Sequence, residues 1–292
     1  MADADPLTDE RLFAALHARD VAAARAALAA GADAAAVREY EFGGERMVET
    51  ATESTLQAAV HSGVPELLDL LLANGVRCAG PHREIARRAL FTAVEAGAAA
   101  MVERLLRAGA DPALPAGHGG EDAFARAIAG GHLGLARSLR EAGAPSSVQA
   151  LLHACRRGDR TAVGLCLRSG VTTTSGPVLA EAARFDQVAL LDWLAAHGAD
   201  VAREAGPALV AACHSGAVGA VRWLLERGAP VAHRNEYAWL PLHFAAYAGH
   251  VEIVRLLLAH GADRAATCGQ GRTARSWAEE AGHGDVLRLL DG

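Results

Sequence analysis

The chain has 292 residues, of which 51% are hydrophobic but only 4% aromatic, and its formal net charge is -6. Alanine supplies much of the apolar fraction, and small side chains in this proportion favour helices over strands. A net acidic chain is not typical of nucleic-acid-binding proteins, which usually present a basic face. No apolar run approaches the ~20 residues that a membrane-spanning helix requires. The composition therefore predicts an all-α protein with no nucleic-acid partner and no membrane partner.

The cysteines and the chain start predict a cytoplasmic protein. The five cysteines are Cys78, Cys155, Cys166, Cys213 and Cys268. Their number is odd and no pair has CxxC spacing, which in a chain of this length indicates reduced core residues. The N-terminus is acidic, whereas a signal peptide begins with basic residues. All 28 basic residues are arginine, a bias that is typical of a GC-rich, bacterial genome.

A leucine-rich helical segment that ends in glycine recurs along the chain. These glycines are Gly31, Gly75, Gly109, Gly143, Gly170, Gly198, Gly228 and Gly261. Their spacings scatter around a period of about 33 residues. A glycine at this place ends a helix because it adopts the left-handed conformation without a Cβ clash.

A second turn lies twelve residues before each of these glycines. Six units carry a further glycine there, namely Gly63, Gly97, Gly131, Gly158, Gly216 and Gly249. In the remaining two units Arg19 and Asp186 take its place. Each unit is therefore predicted to be a short helix, a tight turn, a longer helix and a glycine stop, followed by a connection that projects sideways.

The segment from Leu240 to His250, which reads LPLHFAAYAGH and runs on to AHGAD, resembles a near-complete ankyrin repeat. Pro241 suits the first helical turn, although Leu240 stands where the family usually has a threonine cap. The final unit, residues 272–291, resembles the polar C-terminal cap of such arrays. The resemblance covers about residues 10–291. It implies an all-α solenoid of about nine stacked ankyrin repeats with short β-hairpin fingers, forming a single domain over residues 1–292.

Two regions depart from the period. About 11 extra residues separate Gly31 from Gly75, and the alternation of bulky and polar residues around Gly43-Gly44 predicts a β-hairpin over about residues 37–50. Around Gly170 the spacing falls to 27 and 28 residues. Connections this short cannot form full fingers, so we expect a more open groove there.

In an ankyrin repeat the short helix and the finger tips line the concave surface. The resemblance therefore places in the groove the last two residues of each short helix and the residue three positions before the penultimate one, a spacing that shares a helix face. In the middle of the chain the penultimate position and the position three residues earlier carry long polar side chains, whereas the family usually keeps the earlier position small or apolar. The predicted mid-groove cluster comprises Arg126, His153, Arg156, Arg157, Glu181, Arg184 and His214. His17 and His61 occupy the equivalent position in the first two units.

The mid-groove cluster has two interpretations. Its net positive charge, in an otherwise acidic protein, predicts a site for an acidic or anionic element of a partner. In the alternative interpretation these are solvated helix-surface residues, with a local ion pair between Glu181 and Arg184.

A second predicted binding element is the finger over residues 233–239. It presents Tyr237 and Trp239 near Tyr247 of the next short helix, and tyrosine and tryptophan are among the residues that most often dominate protein interfaces. Trp239 equally fits a structural role, because ankyrin fingers often carry an aromatic residue that packs on the next finger.

The resemblance implies a protein- or peptide-binding scaffold that uses its concave groove, although a fold does not by itself define a function. The alternative is an enzyme that modifies a small molecule or peptide. In that case His153 and His214 would transfer protons, Glu181 would orient an imidazole, and Arg126 and Arg184 would stabilise negative charge. No HExxH or CxxC spacing, P-loop or nucleophile elbow is present, so no metal site and no cofactor is predicted.

Overall fold

The computed structural model describes residues 6–42, 49–115, 121–168 and 177–292. The chain divides into two compact units, Met1–Ser147 and Val148–Gly292. The prediction of a single domain over residues 1–292 stays a prediction.

The first unit contains four helix pairs and one two-stranded antiparallel sheet within the described residues. Its elements are α1 (Pro6–His17), α2 (Val21–Ala29), β1 (Val37–Phe42), β2 (Glu49–Ser54), α3 (Thr55–Ser62), α4 (Pro65–Ala73), a 3₁₀ turn (Gly80–His82), α5 (Arg83–Glu95), α6 (Ala99–Arg107), α7 (Ala123–Gly130) and α8 (Leu133–Glu141).

The second unit contains five helix pairs within the described residues. They are α9 (Val148–Arg157) with α10 (Arg160–Arg168), α11 (Val178–Arg184) with α12 (Val188–Ala196), α13 (Val201–Ser215) with α14 (Val218–Glu226), α15 (Pro241–Tyr247) with α16 (Val251–Ala259), and α17 (Ala274–Glu280) with α18 (Gly284–Asp291).

Within each unit the pairs stack in two rows. The first helices of successive pairs pack on one another, and most of the second helices do the same. The core lies between the rows: α16 turns Ile253, Val254 and Leu257 inward at helical spacing, where they meet small buried residues of α15 such as Ala245 and Ala246. The all-α fold class with a small β-hairpin is as predicted.

The turn inside each pair requires a left-handed residue. The six predicted turn glycines have φ angles between 66° and 80°. At the two positions where the sequence lacks glycine, Arg19 and Asp186 adopt the same region, with φ of 58° and 53°. The left-handed conformation costs about 1–2 kcal/mol at each of these two residues, and it occurs there because the stack requires a turn at that point.

The side chain of Asp186 forms a hydrogen bond with the next helix pair. Its Oδ1 accepts a hydrogen bond of 2.6 Å from the N–H of Ala220, in the first turn of α14. Gly219 leaves room for this, since a Cβ there would lie 2.9 Å from Oδ1 of Asp186. Asp186 therefore caps a helix of the next pair.

The helix lengths differ in part from the prediction. The second helix has nine residues in every pair except the last, whereas the first helices range from 7 to 15 residues. The longest is α13, and only four residues separate it from the end of α12. Where other pairs have a finger, this pair has two additional helical turns, which begin at Asp200, whose carboxylate accepts a hydrogen bond from the N–H of Arg203.

The predicted insertion after α2 coincides with strands β1 and β2, which pair from Val37 with Ser54 to Phe42 with Glu49. The turn at Gly43-Gly44 lies outside the described residues. Ser54 ends β2 and at once caps α3, because its hydroxyl accepts a hydrogen bond from the N–H of Gln57 at 3.2 Å. The hairpin therefore leads directly into a first helix.

All five cysteines are buried and free, as predicted. Burial raises the pKa of Cys78 to about 11 and that of Cys155 to about 12. These two thiols stay protonated at neutral pH.

Arg19→Gly should raise the free energy of unfolding by about 0.5–1 kcal/mol, because it removes the left-handed strain and no side-chain cap is lost. Asp186→Gly removes the same strain but also the cap on α14, which is worth about 1 kcal/mol. It should therefore leave stability unchanged or lower it. Urea unfolding of both variants measures the difference. An equal gain in the two would show that the Asp186 cap contributes nothing.

A second prediction concerns Glu204 in the first turn of α13. This side chain is 8% exposed. Its Oε2 accepts a long hydrogen bond of 3.4 Å from the N–H of Leu179. Its Oε1 has no hydrogen-bond partner among the described residues, although Nη2 of Arg203 lies 3.6 Å away. Burial raises the pKa of this carboxyl above its ordinary value, so ionisation of Glu204 opposes folding.

Glu204→Gln should therefore be more stable than the wild type at about pH 7, and the gap should close as the pH falls below about 3, where the wild-type carboxyl is protonated in both folded and unfolded chains. Thermal melts across this range test the prediction. Glu226→Gln, on the exposed side of α14, serves as the control and should show no such convergence. If the wild type were more stable than Glu204→Gln at neutral pH, the predicted direction of the stability difference would be wrong.

Candidate functional site

Six of the seven residues of the predicted mid-groove cluster lie on first helices of the second unit. His153, Arg156 and Arg157 are at the end of α9, Glu181 and Arg184 are on α11, and His214 is near the end of α13. Because α9, α11 and α13 pack successively, the ends of these helices form one surface, called here the first-helix surface.

Glu181 is the buried centre of this surface, with 7% of the residue exposed. Its Oε1 accepts a hydrogen bond from Nε of Arg156 on the neighbouring helix, and its Oε2 lies 3.9 Å from Nε of Arg184. Two guanidinium groups therefore surround one carboxylate, and the group carries a net positive charge. Removing Arg156 would deprive the buried Glu181 carboxylate of its nearer guanidinium, and an incompletely paired buried charge lowers the free energy of unfolding strongly.

The two arginines thus have different roles. Arg156 ties α9 to α11 through Glu181, and its loss would combine structural and binding effects. Arg184 is more distant from the carboxylate, and its side chain is 51% exposed. Of the two, Arg184 is the guanidinium that remains available to a ligand.

Arg126 lies on α7 in the first unit. There it forms ion pairs with Glu95 at 2.6 Å and with Glu121 at 2.7 Å, so two carboxylates offset its charge. Its membership of a cluster with the residues of the second unit stays a prediction.

The two imidazoles of the predicted cluster differ in setting. The ring of His214 is exposed and meets the ring of Phe244 edge to face, with centroids 5.6 Å apart. His153 is half-buried, and both it and Arg157 already take part in noncovalent interactions. The described contacts of Glu181 are those with the two arginines. The catalytic alternative, in which Glu181 orients an imidazole, therefore stays a prediction.

A cleft of about 440 Å³ opens beside Arg184. The extended N-terminal part of α13 contributes one wall through Pro207, and the finger before α15 contributes another. Its remaining polar lining includes His214, His233, Asn235 and Glu236. We call this the Arg184 cleft.

The finger is shaped by Asn235. Its Oδ1 accepts hydrogen bonds from the N–H groups of Tyr237 at 3.0 Å and Trp239 at 2.9 Å, and Ala238 between them has a φ of 57°. This tight turn directs the two aromatic rings differently: Tyr237 is 68% exposed, whereas Trp239 is half-buried.

Trp239 is the centre of an aromatic cluster. Its ring lies 5.0 Å from Phe244, 6.2 Å from Tyr247 and 4.5 Å from Trp277, measured between centroids. Trp239 therefore packs on the next pair, which is the structural role that the sequence left open. Tyr247 is 46% exposed at the edge of the cluster.

A second cleft, of about 650 Å³, lies on the other side of the finger. Tyr237, Trp239 and Gln270 line it, and it shares Asn235, Glu236 and Phe244 with the Arg184 cleft. We call it the Trp239 cleft. The two clefts flank one finger, so a ligand in both would meet a guanidinium on one side and aromatic rings on the other.

Several residues of this surface were not predicted. Phe185 is 46% exposed at the end of α11, and Asn235 and Glu236 line both clefts. Phe185 is the last residue before its turn, a position that the sequence pattern already places in the groove. Asn235 and Glu236 carry no comparable signal, because only the folded finger determines which way they point.

His17 and His61 meet in the first unit around Glu53, a residue of β2 that is 7% exposed. Nε2 of His17 lies 3.1 Å and Nδ1 of His61 lies 3.4 Å from the carboxylate. Arg38 of β1 donates to it at 2.9 Å. Although burial acts in the opposite direction, Arg38 and the two imidazoles hold the pKa of Glu53 below its usual range. Glu53 thus attaches the hairpin to α1 and α3.

Among the described residues, no group of three or more His, Cys, Asp or Glu side chains is placed to hold a metal ion. Within the same ranges every helix is too short or too polar to cross a lipid bilayer.

Residues 209–291 contain the finger and the aromatic cluster. The family described as "Ankyrin repeats (3 copies)" matches these residues. The ankyrin repeat domain of human ASB11 is similar in structure, with a TM-score of 0.56 and 26% sequence identity over 70% of this chain and 97% of that chain. The chain has the ankyrin-repeat fold. No curated protein matches it.

The Arg184 cleft lies between the finger and the helices α11, α13 and α15, whereas the Trp239 cleft lies between the finger, α15 and the loop before α17. His243, at the start of α15, is 1% exposed. Its Nδ1 accepts the N–H of Leu240 at 3.1 Å, and its Nε2 donates to the carbonyl of Arg272 at 3.2 Å. His243 thus satisfies the N–H of the N-cap residue Leu240, whereas a threonine cap would instead accept an N–H of the first helical turn. Burial lowers the pKa of His243, which keeps the imidazole neutral at pH 7.

Proposed function

We propose that the protein is a protein- or peptide-binding scaffold of about nine ankyrin repeats, and that the first-helix surface with its two clefts is the concave binding groove. Ankyrin repeats are generally protein-interaction scaffolds. The observation that carries the proposal is the exposure of aromatic rings here. Of the five large hydrophobic residues that are exposed among the described residues, three lie on this surface or beside its clefts: Phe185 follows α11, Tyr237 lines the Trp239 cleft and Tyr247 contacts Trp239. Clustered exposed aromatic rings are typical of interaction sites.

The charge of the surface supports a partner with an acidic or anionic element. Glu181 neutralises only one of the two arginines that face it, and Arg184 lines a cleft. A guanidinium forms strong, directional hydrogen bonds with carboxylate or phosphate oxygens. The partner would place its anionic group in the Arg184 cleft and an apolar side chain in the Trp239 cleft. Since Glu236 stands between them, the intervening partner residue should not be acidic.

We further infer a cytoplasmic protein of bacterial origin. Five free cysteines are typical of a reducing compartment, and the exclusive use of arginine among basic residues is typical of a GC-rich genome.

The groove can be tested with a random peptide library displayed on phage and selected on the full chain. We expect the selected peptides to be enriched in Asp or Glu close to an aromatic or aliphatic residue. The dissociation constant of one such synthetic peptide is then measured with variants. Arg184→Ala should weaken binding by roughly 1–3 kcal/mol because a charge-assisted contact is lost. Tyr237→Ala should weaken it by about 1–2 kcal/mol because an exposed anchor is lost.

Arg222→Ala is the matched control, because Arg222 is an equally exposed arginine on the second helix α14. It should leave the dissociation constant within about twofold, which is a negligible free-energy change. Arg156→Ala and Trp239→Ala are less informative, since both residues also hold the repeats together. Unchanged affinity in Arg184→Ala and Tyr237→Ala would place the binding site elsewhere.

A further inference from the structure

The Arg184 cleft contains two imidazoles in addition to its guanidinium. The charged and titratable side chains of its lining are Arg184 from α11, His214 from α13, and His233 and Glu236 from the finger, while α15 contributes the ring of Phe244. Histidine is the side chain whose charge changes between about pH 5 and pH 8. The charge of this cleft therefore depends on two groups that respond to pH near neutrality.

His233 is positioned by the long helix α13. Its ring lies against Gly206, where a Cβ would be 2.5 Å from Nδ1 of the imidazole. Any other residue at position 206 would displace the ring, because that distance is far shorter than a real contact. Glycine destabilises the interior of a helix, yet Gly206 is buried within α13. This glycine therefore gives the half-buried His233 a defined position in the cleft.

His214 is positioned by the next helix pair. Its ring meets that of Phe244 edge to face, with 5.6 Å between centroids, and its backbone carbonyl accepts Nε2 of His250 at 3.3 Å. Among the described residues no hydrogen bond is made by the imidazole of His214 or by that of His233. Both rings can therefore bind a ligand in the cleft without breaking a hydrogen bond of the free protein.

The imidazoles decide the sign of the local charge. The two arginines around Glu181 leave one positive charge, and the exposed carboxylate of Glu236 in the cleft lining offsets it. With neutral imidazoles the group is thus formally balanced, whereas protonation of His214 and His233 makes it positive. An anion in the cleft favours the imidazolium form, because opposite charges at short range stabilise each other.

We propose that His214 and His233 bind the anionic group of the partner as imidazolium ions, together with Arg184. The protein then captures this partner at mildly acidic pH and releases it as the pH rises above neutral. Because the complex holds more protons than its free components, affinity rises as the pH falls through the range in which histidine titrates. This inference rests on the proposed function, since it concerns the same cleft and the same partner.

The first measurement uses sulfate as the probe. The full chain is labelled with ¹⁵N-histidine, and the imidazole signals are followed by NMR between about pH 5 and pH 8 in sodium sulfate and in sodium chloride of equal ionic strength. Sulfate keeps its charge across this range, whereas phosphate does not. The titration midpoints of His214 and His233, identified from His214→Gln and His233→Gln, should lie at least about 0.5 pH units higher in sulfate, because the bound anion favours imidazolium.

His197 and His260 are the internal controls for this titration. Each lies at the end of a second helix, where its Nδ1 is 2.8 Å or 2.9 Å from a backbone carbonyl oxygen of the same helix. Their midpoints should be the same in both salts. The proposal is overturned if the midpoints of His214 and His233 move no more than those of the two controls.

The second measurement uses an acidic peptide from the phage selection, with blocked ends and without histidine, whose carboxylates stay ionised above about pH 5.5. Its dissociation constant should be at least about tenfold lower at about pH 5.5 than at about pH 8, since each imidazole that gains a proton on binding contributes up to about tenfold. His214→Gln combined with His233→Gln should lose most of this dependence, whereas His197→Gln should keep it. Circular dichroism melts establish that these variants fold.

The two measurements separate this inference from the proposed function. If binding of the peptide depends on Arg184 but is equally tight at both pH values, the groove stands and the inference about the imidazoles is wrong. If no selected peptide depends on Arg184, the proposed groove fails, and the sulfate titration alone decides whether the cleft binds anions in a proton-dependent manner.

Discussion

The left-handed residue between the two helices of each pair is the constraint on which the rest of this structure depends. Both helices can lie side by side only if the chain reverses within one or two residues, and a positive φ provides that reversal. Glycine adopts it without strain, and it also leaves space for the next pair. The imidazole of His250 lies over Gly216, where a Cβ would be 2.8 Å from its ring, and Nε2 donates to the carbonyl of His214 at 3.3 Å. At Asp186 the arrangement is inverted, since the bulky residue belongs to the turn and the glycine, Gly219, to the next pair.

This constraint also positions the functional surface. Because each turn closes at the same point of the repeat, the ends of the first helices fall in register, and residues distant in sequence share one face. Glu181 and Arg156 use that register to link α9 and α11, and Arg184 is then held at the edge of a cleft. The cleft itself depends on α13, which begins immediately after the preceding repeat and so replaces a finger with helix.

The aromatic cluster joins stability to function at the other end of the second unit. Trp239 and Trp277 pack on one another and hold a finger against the next repeat, so they contribute apolar burial and the shape of a cleft at once. The same packing therefore serves both the core and the Trp239 cleft.

The sequence by itself determined the class of the fold and the place of the turn between the two helices of each repeat. Periodic glycines and apolar residues are local signals, and even the two replacements, Arg19 and Asp186, could be recognised because the period left them no other role. Only the tertiary structure decided which side chains are engaged in ion pairs or packing and which are exposed. Arg126 is paired with Glu95 and Glu121, Glu181 is enclosed by arginines, and Trp239 is held by its neighbours while Tyr237 is exposed. The length of α13 was equally beyond the sequence. These properties depend on distances between repeats, which the order of residues along one repeat does not specify.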